Sequence, residues 1–411
     1  MNILKNYKML PFSPPRIDDK IIEEVTSALT SGWITTGPKT KEFEKKIASY
    51  CGINHVLAVN SWTMGAEMLL HWFGIKSGDE VIVPAYTYCA TANIVIHCGA
   101  KPVMVDISGD FCIDVLNIEK AITSRTKAII PVDLGGYPVN YDAIKSLVEC
   151  DTVKAKFEPN SLEQAKLGRI LILSDAAHSF GASYKGQKVG SQADFTVFSF
   201  HAVKNLTTAE GGAICINMPF PFDNDTLYKD LNVLSLHGQN KDALAKMQKG
   251  AWEYDVLSAG FKCNMTDILA AIGLVEINRY ENETLKRRKE IFEKYTKIFK
   301  KYDWAIVPEF ISEHKESSYH LYLLRIDRIS LEQRNNIITK IFDKDIAVNV
   351  HYKPLPALSF YKNLGYKLDE YPNSKVFWEQ EISLPVYFDL NDNQIEDVAS
   401  AVVESYFEIV K

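Results

Sequence analysis

Between about residues 18 and 275, short β-rich apolar runs alternate with helical patterns, and this alternation constrains the fold more than any other feature of the sequence. It is typical of an α/β domain built on a mostly parallel sheet. Two stretches between the runs, 63–72 and 142–148, have helical spacing and predict crossover helices. The strand candidates are 55–59, 80–83, 101–105, 127–131, 170–174, 196–200 and 212–216.

The pattern changes towards the C-terminus. Residues 149–168 are polar and predict a surface insertion without a functional role, whereas 267–301 predict a long helix that connects two domains. The remaining stretch mixes a strand at 320–326 with a helix at 331–342, as in a smaller α/β domain. We therefore predict a large domain over residues 1–285, N-terminal segment included, and a small C-terminal domain over 286–411.

Composition argues against several classes of function. The 52 acidic and 46 basic residues give a net charge of −6 and are dispersed, so we expect no nucleic-acid partner. The seven cysteines include no C-x-x-C pair and no His/Cys cluster with zinc spacing, which predicts free thiols in a reducing compartment and no metal site. The N-terminus has no apolar signal-peptide core, and no apolar run reaches the ~18 residues of a membrane span. We therefore expect a cytoplasmic protein that does not enter a membrane.

The stretch from residue 170 to 215 is the part of the sequence that indicates chemistry. It predicts a strand ending in Asp175, a glycine-rich return, a strand ending in Ser199 and a loop carrying Lys204. Ligands of open α/β sheets bind beyond the carboxyl ends of the strands, so this acid and this lysine can meet one small molecule. A neutral lysine forms Schiff bases with carbonyls, and an electron-sink cofactor needs its protonated pyridine nitrogen held by a carboxylate. Taken singly, Asp175 could instead cap a turn and Lys204 could lie on a solvated loop.

Two motifs in this stretch, SDAAHSFGA and FSFHAVKNLTTAEGGAI, resemble the DegT/StrS family of nucleotide-sugar aminotransferases. The resemblance covers nearly the whole chain, from SGWITTGPKTKEFE through PAYTYCATAN and GFKCNMTDILAAIGL to VHYKPL and ISLPVY. It implies a fold-type I pyridoxal 5′-phosphate (PLP) transferase, with a mostly parallel seven-stranded sheet in the large domain. The lysine motif is highly specific, whereas the last two motifs are weaker but follow in the expected order.

By this resemblance, four residues hold the ring of the cofactor. Lys204 carries PLP as a Schiff base, and Asp175 pairs with the pyridinium nitrogen. His178 contacts the side of the phenolic oxygen, and Tyr88 stacks on the ring. The resemblance makes Lys204, Asp175 and His178 the catalytic residues. Without it, His178 would be a polar residue satisfied by the protein and Tyr88 a core aromatic.

The phosphate of PLP is expected at the N-terminus of the helix that starts near Thr63, where free N–H groups and the helix dipole attract an anion. The resemblance places Ser61, Trp62, Thr63 and Ser199 around it. Trp62 stands where many relatives carry a small residue, and its bulk needs a place, for which the substrate cleft is one candidate.

Lys262 in GFKCNM stands where many relatives carry an asparagine that reaches the cofactor phosphate of the neighbouring subunit. A lysine can bind the same phosphate. The resemblance therefore implies a homodimer with shared active sites.

The implied reaction is a transamination. L-Glutamate would give up its amino group and leave as 2-oxoglutarate, and a keto-sugar on a nucleoside diphosphate would then accept it, with Lys204 moving the protons. A 4-keto-6-deoxy hexose is the commonest acceptor in the family. The resemblance implies a role in the biosynthesis of a surface polysaccharide, such as lipopolysaccharide, or of another glycan. The sequence leaves open the nucleotide (UDP, dTDP or GDP), the aminated carbon (C3 or C4), the sugar stereochemistry and the residue that clamps the carboxylate of glutamate. The alternatives are a sugar dehydratase of the same family, in which histidine replaces the lysine, and a non-catalytic binding protein with the same fold.

Overall fold

The computed structural model describes residues 9–240 and 253–410, and its largest feature is a seven-stranded sheet with the order β1-β9-β8-β5-β4-β2-β3. Only β9 runs against its neighbours, since it is antiparallel to both β1 and β8, whereas the other neighbouring strands are parallel. The strands of this part of the chain are β1 (His55–Val59), β2 (Glu80–Pro84), β3 (Lys101–Val105), β4 (Thr126–Ile129), β5 (Leu171–Asp175), β6 (Ser183–Tyr184), β7 (Gln187–Lys188), β8 (Phe195–Ser199) and β9 (Gly212–Ile216).

The central strands are apolar on both faces because both faces are buried. In β2, Val81 and Val83 pack into one core cluster, whereas Ile82 packs into another. β5 alternates in the same way, with Leu173 in the first cluster and Ile172 in the second. Side chains alternate across a strand, so the two clusters lie on opposite faces of the sheet.

Helices precede the strands and connect them. The connections between parallel strands bring the carboxyl ends of β2, β4, β5 and β8 to one edge of the sheet. The helices of this part are α1 (Asp19–Thr30), α2 (Pro38–Cys51), α3 (Trp62–Trp72), α4 (Ala90–His97), α5 (Val115–Ala121), α6 (Tyr141–Glu149), α7 (Asp151–Lys154), α8 (Leu162–Leu167) and α9 (Asn224–Leu234).

The C-terminal part follows a long helical run made of α10 (Asp267–Arg279), a π-helical turn (Tyr280–Leu285) and α11 (Lys286–Phe299). Its antiparallel sheet has the order β10-β12-β13, whereas β11 pairs with β6 of the N-terminal part. The remaining elements are β10 (Ala305–Ile306), β11 (Lys315–Glu316), β12 (Tyr322–Ile326), α12 (Leu331–Phe342), α13 (Ser359–Asn363), α14 (Pro372–Gln380), β13 (Glu381–Leu384) and α15 (Asp392–Val410).

The predicted α/β fold with a mostly parallel seven-stranded sheet is confirmed. Strands β1, β3 and β9 have the predicted bounds, and the other four lie within two residues of them. The antiparallel direction of β9 was not expected, and the helical run at 267–301 is interrupted by the π-helical turn. Residues 149–168 contain α7 and α8, and Gln164 in α8 is buried, where its amide donates to the carbonyl of Phe73. The division after Leu285 stays a prediction.

Residues 9–240 and 253–410 hold no group of three or more His, Cys, Asp or Glu side chains arranged to bind a metal ion. Over the same residues, the helices lack the combination of length and apolar character that is needed to cross a bilayer. The cysteines at positions 51, 89, 98, 112, 150, 215 and 263 are free thiols.

Candidate active site

A cavity of about 370 Å³ opens at the carboxyl edge of the main sheet, a size within the range of about 300–1,000 Å³ that is common for small-molecule sites. The ends of β5 and β8, the loop after β2 and the start of α3 all contribute to its walls. Of the site residues expected from the sequence, those lining the cavity are Ser61, Trp62, Thr63, Tyr88, Asp175, His178, Ser199 and Lys204. Lys262 does not line it.

Lys204 and Asp175 face the same cavity and interact electrostatically. Asp175 is the last residue of β5 and is only 4% exposed, whereas the half-buried Lys204 lies on the loop after β8. Burial lowers the pKa of Lys204 to about 8, although the Asp175 carboxylate opposes this shift. Burial also raises the pKa of Asp175 to about 7, against the effects of its hydrogen bonds and of Lys204. Near neutral pH the lysine therefore has access to the neutral amine that nucleophilic attack requires.

The Asp175 carboxylate is held by two donors. The Thr91 hydroxyl donates to Oδ2 at 2.9 Å, and the backbone N–H of Ala177 donates to Oδ1 at 3.2 Å. Thr91 lies in the first turn of α4 and its own oxygen is 3.1 Å from the hydroxyl of Thr87. Sequence reasoning did not single out either threonine, although both lie in the PAYTYCATAN motif.

His178 is buried, and both of its ring nitrogens have protein partners. The backbone N–H of Gly135 donates to Nδ1 at 3.2 Å, and Nε2 lies 3.1 Å from the hydroxyl of Tyr352. Burial lowers the pKa of His178 well below its usual value, so the ring is neutral. Because an amide N–H can only donate, the proton of the neutral ring is assigned to Nε2, which donates to Tyr352. Both rings line the cavity, and the contact of His178 with the phenolic oxygen of the cofactor stays a prediction.

The start of α3 forms the other end of the cavity. Ser61 caps this helix, because its Oγ accepts a hydrogen bond from the N–H of Met64 at 3.1 Å. The first N–H groups of the helix, at Trp62 and Thr63, have no acceptor within the helix and are suited to an anion. β9 approaches this turn so closely that a Cβ at Gly212 would lie 2.8 Å from the backbone nitrogen of Trp62. Glycine is therefore required at this position of the EGG motif.

The indole of Trp62 is 5% exposed and packs into a core cluster while bordering the cavity. Most of its bulk is therefore accommodated in the core cluster that also contains Val59 and Ala66, rather than in the cleft. In the described part of the chain its ring N–H has no hydrogen-bond partner. Ser199 ends β8, and its hydroxyl accepts a hydrogen bond from the N–H of His201 at 3.4 Å.

Lys262 is exposed, and its ammonium donates to the side-chain oxygen of Asn264. Its segment pairs with the end of β1, where the carbonyl of Cys263 accepts from the N–H of Asn60 at 2.7 Å. The backbone at Lys262 therefore lies close to the α3 turn in the fold, but its side chain does not line the cavity of its own chain.

Several other side chains line the cavity. All of them lie in PAYTYCATAN, in the lysine motif or in VHYKPL, so their place in these motifs is the sequence signal that could have identified them. They are Thr87, Thr91, His201, Glu210, His351 and Tyr352.

The residues present fit PLP. A buried carboxyl can hold the ring nitrogen, a lysine of lowered pKa can bind the aldehyde carbon, and a helix N-terminus can bind the phosphate. Tyr88 is 58% exposed in this cavity, so its ring has a free face on which a pyridine can stack.

The sequence profile of the DegT/DnrJ/EryC1/StrS aminotransferase family matches residues 15–156 and 160–403 of the chain. The spore coat polysaccharide biosynthesis protein SpsC of Bacillus subtilis is 38% identical over 405 residues, which cover 97% of this chain and 98% of SpsC.

Solved structures of two aminotransferases are also similar. The PMP-form of Spr1654 from Streptococcus pneumoniae, described as a sugar aminotransferase, is 46% identical with a TM-score of 0.93, covering 97% of this chain and 100% of that chain. Its PLP-form is 44% identical with a TM-score of 0.92, covering 98% and 100%. PseC of Helicobacter pylori, an aminotransferase involved in the biosynthesis of pseudoaminic acid, is 29% identical with a TM-score of 0.85, covering 98% and 100%.

Proposed function

Because the chain belongs to the DegT/DnrJ/EryC1/StrS aminotransferase family and is a PLP-dependent sugar aminotransferase, we propose that it moves the amino group of L-glutamate to a keto-sugar linked to a nucleoside diphosphate. The observation that carries this proposal is the meeting of Lys204 and Asp175 in one cavity beside the N-terminus of α3. A histidine in place of Lys204 would be the mark of a dehydratase, and loss of Lys204 or Asp175 would be the mark of a non-catalytic binding protein, but both residues are present.

PLP, when bound, supplies an electron sink for the carbanion that forms at the carbon bearing the amino group. Asp175 holds the proton on the pyridine nitrogen, and Thr91 and the N–H of Ala177 hold Asp175 in place. Tyr88 supports the ring, and the first N–H groups of α3 with Ser199 bind the phosphate. Lys204 holds the aldehyde carbon and moves the proton at the substrate carbon, since a pKa of about 8 lets its amine act as base and acid near neutral pH.

The proposed reaction has two halves. L-Glutamate gives up its amino group and leaves as 2-oxoglutarate, after which the keto-sugar enters the same cavity and receives the amino group. We propose a 4-keto-6-deoxy hexose as acceptor. The names of SpsC and PseC, which connect two similar proteins with a polysaccharide and with pseudoaminic acid, support a role in surface polysaccharide or glycan biosynthesis.

We also propose a homodimer in which Lys262 of each subunit binds the cofactor phosphate of the other. This is supported by the exposed position of Lys262 and by its absence from the cavity of its own chain. The ammonium group of Lys262 would add a positive charge to the phosphate site of the other subunit, and this needs no change in the α3 turn that binds the same phosphate.

The test is a panel of UDP-, dTDP- and GDP-linked 3-keto and 4-keto sugars, each incubated with the PLP-loaded protein and L-glutamate. We expect an amino sugar, identified by mass, and an equal amount of 2-oxoglutarate from at least one acceptor. Lys204→Ala is the matched control and should form neither product. Absence of 2-oxoglutarate with every acceptor, in a protein shown to contain PLP, would refute the proposed donor.

A further inference from the structure

A chain of hydrogen bonds leads from the cavity into the C-terminal part of the protein. Ser383 of β13 pairs with Asn349, and this antiparallel register places His351 opposite Glu381. The N–H of His351 donates to Oε2 of Glu381 at 3.0 Å. The hydroxyl of Ser383 donates to Oε1 of Glu381, and Nδ1 of His351 lies 2.8 Å from that hydroxyl oxygen.

The strand explains why these groups meet. Glu381 and Ser383 are two residues apart in β13, so their side chains leave the same face, whereas Ile382 and Leu384 leave the other face and join the core. Glu381 and Ser383 are both 0% exposed. His351 lies between them and the cavity, which it lines together with Lys204.

We propose that His351, Ser383 and Glu381 form a proton relay, in which His351 takes a proton from the ammonium group of the amino donor bound beside Lys204 and Glu381 stores it. This inference rests on the proposed function, because an amino donor must bind in this cavity. It adds a catalytic residue, His351, and two positioning residues, Ser383 and Glu381.

The step balances without any other reactant. An N–H bond of the ammonium breaks and leaves its electron pair on the amine, and the proton binds to Nε2 of His351. The proton on Nδ1 passes to Oγ of Ser383, whose own proton passes to Oε1 of Glu381. The amine is then neutral and nucleophilic, His351 is neutral again with its hydrogen on Nε2, and the carboxylate has become a carboxylic acid. The same steps in reverse return the proton.

The two ends of the relay, His351 and Glu381, differ in their affinity for a proton. Burial, with a smaller effect of Lys204, lowers the pKa of His351 to about 3, so the ring passes the proton on. Burial raises the pKa of Glu381 to about 8, although Ser383, the N–H of His351 and Arg334 oppose this shift. A group with that pKa can take up and release a proton near neutral pH, as Lys204 can.

Other titratable groups face the relay from the elements packed around it. Arg334 of α12 lies beside Glu381 and donates to its backbone carbonyl, which favours the carboxylate. The neighbouring groups that interact with Glu381 or His351 are Arg334, Tyr86, Tyr352, Lys204, His178 and His320.

The first test measures the hydrogen position on His351 in the cofactor-free protein. Nitrogen-15 NMR of histidine-labelled protein distinguishes the two neutral tautomers, and His351→Gln assigns the signals. The relay requires the hydrogen on Nε2 when Glu381 is protonated and on Nδ1 when it is ionised, so we expect the tautomer to switch with a midpoint near pH 8. Glu381→Gln and Ser383→Ala should each abolish the switch. An unchanged tautomer between pH 6 and 9.5 in the wild type would overturn the relay whether or not the variants fold.

The second test measures the half-reactions of the PLP-loaded protein. The PLP form absorbs visible light, and this absorbance is lost (bleaching) when an amino donor converts it to the amine form. At saturating L-glutamate, we expect Ser383→Ala to slow the bleaching by about tenfold or more, with little change in the half-saturating concentration of L-glutamate. The reverse half-reaction of the amine form with 2-oxoglutarate should slow by the same factor. The control is Ser405→Ala, which removes another buried hydroxyl of the C-terminal part that has no hydrogen-bond partner in the described chain, and it should leave both rates unchanged.

The outcomes separate the two proposals. A wild type that does not bleach with L-glutamate refutes the proposed donor, while the tautomer measurement still decides the relay. Equal saturating rates in Ser383→Ala and wild type would overturn the relay even if the tautomer switches, because the switch would then have no part in the reaction.

Discussion

We expect the Asp175→Asn variant to gain stability with rising pH, relative to wild type, when no cofactor is bound. Asp175 is buried, and burial raises its pKa from 3.8 to about 7 in the cofactor-free protein. Between these values the folded protein keeps a proton that the unfolded chain has released. The wild type therefore loses stability as the pH rises from about 4 to 7, and the loss is complete above pH 7.

The size of this effect follows from the two pKa values. The folded and unfolded pKa values differ by about three, and each pKa unit corresponds to about 1.4 kcal/mol. The raised pKa of Asp175 therefore destabilises the folded wild type by about 4 kcal/mol at pH 8 and about 2 kcal/mol at pH 5. Asparagine has no such cost, but it leaves Thr91 or the N–H of Ala177 without an acceptor, a penalty of about 1–3 kcal/mol that does not depend on pH. The attraction between the carboxylate and Lys204 is already included in the pKa of about 7, because Lys204 lowers that pKa against the effect of burial. The stability of the variant relative to wild type should therefore rise by about 2–3 kcal/mol from pH 5 to pH 8.

Urea denaturation of both cofactor-free proteins at pH 5, 6, 7 and 8 measures this difference, at a fixed protomer concentration because association changes apparent stability. With PLP bound, the variant should lose its advantage and transaminate slower by orders of magnitude, since a neutral amide does not hold the pyridinium proton. A stability difference that is flat between pH 5 and 8 would refute the electrostatic reasoning. Turnover near that of wild type would refute the role of Asp175.

Three further predictions concern other parts of the site. Lys204→Ala should keep the fold and lose turnover, and borohydride reduction followed by peptide mapping should find the cofactor on this lysine in wild type only; label on another lysine would contradict the assignment. Mixing Lys204→Ala subunits with Lys262→Ala subunits should restore part of the activity, because some mixed dimers contain one complete site. If activity does not recover, although the subunits exchange and Lys262→Ala alone is defective, then Lys262 acts only within its own chain. Gly212→Ala should weaken PLP binding in an equilibrium titration, because its Cβ would lie 2.7 Å from the carbonyl of Phe198 and 2.8 Å from the nitrogen of Trp62; unchanged affinity would show that the α3 turn tolerates displacement.

Much of the fold and part of the candidate site could be predicted from the sequence. The alternation of apolar runs located every strand of the main sheet to within two residues, because side-chain periodicity is a local property. The position of Asp175 at the end of β5 and of Lys204 beyond β8 followed from the same local pattern, and the sheet brings both to one cavity. The antiparallel direction of β9 could not be predicted, because the apolar pattern of a buried strand does not depend on the direction in which the strand runs.

The sequence by itself therefore determined the layered α/β fold, the family and the residue types proposed to hold the cofactor, since these depend on contiguous patterns and motifs. Only the tertiary structure decided which partners fix the protons of those residues. His178 meets Tyr352 across 174 positions of the chain, and Thr91 meets Asp175 across 84. The hydrogen bonds of the proposed relay behind His351 depend on the register between β13 and the segment at Asn349. Such contacts join segments that are distant in sequence, and hydrogen bonds form only within a few tenths of an ångström, so local patterns carry no information about them.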